Sequence, residues 1–232
     1  MNRATRWEQL GAATGIAFVV FLVASFVVIP DAPPALVDPA AKIRSFYVDN
    51  SSAWQASAYL TGVAAFFFLW FLGSLRTALE GAEERATGAV RVARIVTPAA
   101  AVTLSLALVN GAVNDALATR IAAEADQSVI RALYYVQAFS ITFVAFPIAA
   151  LVAATSVVSY RTGLLPSLVT WLGFALVPAW LVSGFGIFVE SGAFSPTGAV
   201  GLVVLLVWLA WMLAVSASLL RRAGSPALAD TA

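Results

Sequence analysis

Asn110, Asn114, Asp115, Tyr134, Gln137 and Glu190 are the side chains whose chemistry asks for an explanation, because long apolar runs surround all six. The amides of Asn110, Asn114 and Gln137 fall inside those runs, where each needs a hydrogen-bond partner. Asn110 and Asn114 are four residues apart, and Tyr134 and Gln137 three apart, so each pair shares one helix face. Two readings fit the amides. They bridge neighbouring helices, or they form the polar wall of a pocket for a small amphipathic or lipid-like ligand. Asp115 and Glu190 bring carboxylates to the ends of apolar runs, where simple solvation by water competes with general acid–base work. The second reading requires the two acids to meet in a pocket and titrate abnormally.

Composition removes most other chemistry. The chain has no cysteine and no histidine, which excludes disulfides, thiolate nucleophiles, thiolate or imidazole metal ligands and histidine-based proton transfer. A carboxylate-only metal site has no support, and no cofactor is expected: Walker loop, dinucleotide fingerprint and Gly-x-Ser-x-Gly elbow are all missing. The one lysine, Lys42, lies outside the apolar runs, so a Schiff-base lysine within a membrane is ruled out. A formal net charge of +1 argues against nucleic acid as a partner.

The elements that must position these residues are membrane spans. A chain of 232 residues that is 61% hydrophobic and 11% charged, with a mean hydropathy of +0.91, points to lipid as its solvent. Six apolar segments, at about 10–29, 53–75, 95–114, 132–160, 164–189 and 197–220, are each long enough to cross a bilayer. The expected fold is therefore all-α, one integral membrane bundle of six helices, with 221–232 as a flexible tail. The first segment holds twenty residues without a charge, too long for the core of a secretory signal. Its Gly11-x-x-x-Gly15 spacing matches the small-residue packing motif, although at the edge of a span.

Between the spans, Pro30, Pro33, Pro34 and Pro39 forbid a continuous helix, and 43–48 reads as a short amphipathic turn on the surface. Asp49-Asn-Ser-Ser52 and Ser195-Pro196 read as N-caps of the second and sixth spans. Residues 76–94 read as a solvated, partly helical connector, and 115–130 as a polar turn. Pro147 and Pro178 fall near the middle of the fourth and fifth spans, where each frees a carbonyl and bends its helix. Nine arginines occupy the segments on the side of the termini, against Lys42, Arg44, Arg120 and Arg131 on the other. That asymmetry places both termini in the cytoplasm and the six singled-out residues in the outer third. Trp7, Trp70 and Tyr160 against Tyr47, Trp54, Tyr134 and Tyr135 form aromatic belts at the two interfaces, with Trp180 and Trp208 deeper.

The Arg-bearing start, the Pro-rich loop and the stretches IRSFYVDNSSAWQASAYLTGVAAFFFLWFLGSLRTALEG and RTGLLPSLVTWLGFALVPAWLVSGFGIFVESGAFSP together resemble small actinobacterial polytopic membrane proteins of unknown function. The resemblance implies a helical bundle in a bacterial plasma membrane and brings no catalytic residues. The functional expectation is a binder of a small amphipathic molecule in an outward-facing polar pocket. The alternatives are a membrane enzyme with a carboxylate general acid, or a structural or accessory subunit. Expected partners are membrane lipids, with a second membrane protein or a second copy beside them.

Overall fold

The computed structural model describes residues 3–224, in which six helices are long and apolar enough to cross a membrane and no strand occurs among the described residues. The first span is α1 (Arg3–Val27), followed by the short helix α2 (Ala40–Asp49) and the second span α3 (Ser51–Thr87). A 3-10 turn (Ala93–Ile95) leads into α4 (Val96–Ala116), which continues through a π turn (Leu117–Ile121) into the short α5 (Ala122–Glu124). The fourth span is divided into α6 (Gln127–Phe143) and α7 (Ala145–Thr162). The fifth is α8 (Ser167–Ser183), ending in a 3-10 turn (Gly184–Phe188), and the sixth is α9 (Ala199–Ala223). Packed neighbours run α1, α3, α4, α7, α8, α9 and back to α1, a closed ring. Six crossings bring the start of α1 and the end of α9 to one end of the bundle, here the terminal end; the opposite one is the α2 end.

The terminal end is tightly packed because small residues let backbones approach. A Cβ on Gly11 would lie 1.8 Å from Ser74 Oγ of α3. One on Gly15 would lie 2.0 Å from Ser216 Oγ of α9 and 2.5 Å from the ring of Phe71. The glycine pair at the edge of the first span therefore wedges α1 between two helices, the use the motif has in membranes. Gly173 of α8 meets Ser156 of α7 in the same manner, at 2.1 Å.

Several local expectations are corrected. Residues 43–48 belong to an amphipathic helix, α2, that keeps Ser45 and Val48 exposed but buries Ile43 and Tyr47 completely. The polar turn of 115–130 is mostly helix, because Leu117, Ala118 and Ala122 are buried with α2 and Tyr134 in a second apolar cluster. The connector after Arg76 is helical to Thr87, where Gly88 stops it with φ 71°. Within it Glu83 is buried, accepting hydrogen bonds from the backbone N–H groups of Arg91, Val92 and Ala93 at 3.1, 3.0 and 2.9 Å. A carboxylate there satisfies donors at the start of the third span that no helical carbonyl reaches.

Neither expected cap forms. Asn50 gives its amide to Asp31 and to the Phe46 carbonyl, both at 2.9 Å, and the sixth span starts at Ala199 behind Gly198. Of the tail, Arg221 and Arg222 belong to α9, and 225–232 lie outside the described residues.

Pro147 has the largest consequence. The helix breaks at Val144, whose N–H bonds to the Ile141 carbonyl three residues back at 3.3 Å. Proline at 147 leaves the carbonyl of Phe143 without its helical donor, so α6 and α7 diverge there. Below the break α7 packs on α3, α4 and α8. Above it α6 packs on α4, α2 and the 184–188 turn. Pro178, by contrast, is carried inside α8 without dividing it.

Candidate functional site: a cavity at the α2 end

A cavity of about 660 Å³ lies in the half of the bundle nearer α2, beside the break between α6 and α7. All six spans contribute to its wall. Phe18, Phe68, Ile148, Trp180 and Trp208 form its deep end, with the two indoles edge to face at 6.1 Å. Phe46 and Tyr47 of α2 and the 31–33 loop close over the other end. Lining residues that stay exposed include Phe26 and Pro33 at the end of α1 and beyond it, Leu108 of α4, Ile141 of α6, Phe194 of the loop before α9, and Leu202 of α9, so the cavity is not sealed from outside.

One wall carries the polar residues. Tyr47 Oη donates to Asn114 Oδ1 at 2.6 Å. Asn114 Nδ2 donates to the carbonyl of Asn110 at 3.0 Å and to its Oδ1 at 3.1 Å. Asn110 Nδ2 donates to the backbone carbonyl of Gln137 at 2.7 Å, and Tyr134 Oη to that of Pro34. This chain of bonds ties α2, α4, α6 and the Pro-rich loop together. Burial pushes the Tyr47 phenol far above its ordinary pKa, which keeps it a neutral donor.

The amides of Asn110 and Asn114 bridge helices, and the same residues line the cavity with Tyr134 and Gln137. Asp115 and Glu190 do not join them. Asp115 follows Asn114 by one residue, which turns it about 100° around α4 to a half-buried position away from the cavity. Glu190 follows the extended residue Val189 and is exposed in the loop before α9. Among Gln55, Ser57 and Tyr59, Ser57 alone lines the cavity, and Tyr59 faces outward with 74% of its surface exposed.

Two lining residues had a readable signal that the surface-turn reading obscured. Ile43, Phe46, Tyr47, Asn50 and Trp54 repeat every three to four residues, a single buried stripe running from α2 into α3. Tyr47 and Trp54 belong to it. Asp31, the one charged lining residue among those described, had no signal beyond its place in the loop; its carboxylate is already held by the Asn50 amide.

Four buried polar atoms of lining residues have no hydrogen-bond partner: Trp54 Nε1, Gln137 Oε1, Trp180 Nε1 and Trp208 Nε1. Among the described residues no group of three His, Cys, Asp or Glu side chains could hold a metal ion. Fold and cavity together define an all-helical bundle, with six helices able to cross a membrane around an internal space at one end. No family model, curated protein or solved structure matches the chain.

Proposed function

We propose that this is a multi-pass protein of a bacterial plasma membrane that binds a small amphipathic or lipid-like molecule in the cavity beneath α2. The observation that carries the reading is the cavity itself. It is of ligand size, mostly apolar, and equipped with a few polar groups on one wall, the usual constitution of a small-molecule site. The arginine asymmetry supports cytoplasmic termini, so the α2 end, and the cavity with it, faces outward. A carboxylate general acid has less support. Asp115 and Glu190 lie outside the cavity, and Asp31 is engaged by Asn50.

The test is native mass spectrometry of the protein extracted from its own membrane, beside the Gly111→Leu variant. Gly111 lines the cavity, and a Cβ there would meet nothing within 4 Å, so a side chain adds bulk without a clash at its root. A co-purifying mass that disappears in the variant supports the reading. Bare protein in both samples overturns it in favour of an accessory or structural subunit.

A further inference from the structure

The cavity also restricts what its occupant can be, an inference that rests on the ligand-binding reading above. Size comes first. A volume of about 660 Å³ lies within the roughly 300–1,000 Å³ of sites that take one drug-sized molecule. One acyl chain with a small head is of that size, and a two-chain glycerophospholipid is far larger.

Charge comes second. Among the described residues no lysine or arginine lines the cavity, and the only charged one that does is the acid Asp31. An anionic head would be taken out of water with no cation to meet it, which is prohibitive compared with a neutral one.

The unpartnered atoms come third. Trp180 and Trp208 are 6% and 3% exposed, yet their indole N–H groups bond to nothing, and the same holds for Trp54. Gln137 supplies the complement, an unpaired carbonyl oxygen. Buried polar groups are ordinarily satisfied; four of the unpartnered atoms belong to this lining, whereas those of Arg44, Ser156, Ser159 and Ser216 lie elsewhere. None of the four atoms is exposed. A ligand that pairs with them therefore does so as the side chain turns toward the cavity.

We propose that the occupant is an uncharged single-chain amphiphile carrying both hydroxyl and carbonyl oxygens, the chemistry of a monoacylglycerol. Its oxygens accept from the indole N–H groups and its hydroxyl donates to Gln137 Oε1. The chain fills the apolar remainder.

The experiment titrates the full chain, in phosphatidylcholine nanodiscs, with three probes read by native mass spectrometry: monooleoylglycerol, oleyl sulfate and dioleoylphosphatidylglycerol. Monooleoylglycerol is expected to bind one per chain, at least about tenfold more tightly than the permanently charged sulfate. Trp180→Phe/Trp208→Phe keeps an aromatic, if smaller, side chain at each position while removing both donors, and should weaken monooleoylglycerol about fivefold. It tests oxygen recognition even if Gly111→Leu does not fold. Equal binding of oleyl sulfate overturns the neutral head, and equal binding of the two-chain lipid overturns the single chain. An unchanged affinity in the Trp double variant overturns recognition by the indoles. If no probe binds while natively extracted protein carries another mass, the ligand class falls alone. With no probe and no native mass, the ligand-binding reading falls with it.

Discussion

The hydrogen bond between Tyr47 and Asn114 makes a quantitative claim about how the roof of the cavity is held. Asn114→Leu removes the acceptor of a 2.6 Å bond and strands the hydroxyl of a tyrosine with no exposed surface. An orphaned buried donor costs about 1–3 kcal/mol, and the two bonds from Asn114 Nδ2 to Asn110 are lost as well. Measured side-chain bonds between membrane helices are smaller, about 0.6 kcal/mol on average and 1.7 at most. About 2 kcal/mol is therefore expected for Asn114→Leu and about 1 kcal/mol for Tyr47→Phe, which leaves an amide oxygen unpaired rather than a donor. If the bond is real, the double variant strands neither partner and should be less damaged than the two single effects combined, by about 1 kcal/mol. The assay is reversible unfolding of the full chain in mixed micelles by sodium dodecyl sulfate, followed by tryptophan fluorescence. Effects that add to within about 0.3 kcal/mol would refute the coupling, and the account of the polar wall as the fastening of α2 with it.

Two further outcomes follow from the packing. Gly15→Ala places a methyl group 2.5 Å from the ring of the fully buried Phe71 and should destabilise by about 1–3 kcal/mol in the same assay. Gly62→Ala, where a Cβ meets nothing within 4 Å, should be neutral or slightly stabilising; equal losses at both sites would discredit the wedge. Glu83→Ala deprives the N–H groups of Arg91, Val92 and Ala93 of their acceptor, and hydrogen exchange at those amides should accelerate at least about tenfold. Unaltered exchange there would show that the carboxylate does not hold the connector.

The six apolar segments were legible because 20-residue runs without charge leave few alternatives to a span. Their ends were not legible, for a consistent reason. Glu83 reads as solvated in the sequence but is buried because backbone N–H groups eight to ten residues further on need an acceptor. Residues 117–124 read as a polar turn, yet their small and apolar members face α2, a contact that exists only once the 30–50 segment has folded back. Of the site, the spacing of Asn110 with Asn114 and of Tyr134 with Gln137 carried its information locally, and those four residues line one cavity. Asp115 and Glu190 were chosen by residue type at a span boundary, and residue type does not encode which way a helix face or a loop turns. The cavity itself lies where α6 and α7 meet different neighbours on either side of the Val144 break, and those neighbours are far away in sequence.

The apolar interior is divided in two. One cluster, from Ala12 to Leu219, runs from the terminal end to the deep wall of the cavity; the other, from Leu36 to Ala138, fills the α2 end, and the cavity touches both. Substitutions in clusters that share few partners combine nearly independently. The side chains that shape the upper part of the cavity can thus change without disturbing the glycine–serine contacts that hold α1 to α3 and α9. In evolutionary terms the molecule is modular. The α2 end is free to vary the lining of its cavity, while the terminal end preserves the scaffold that keeps every such variant folded.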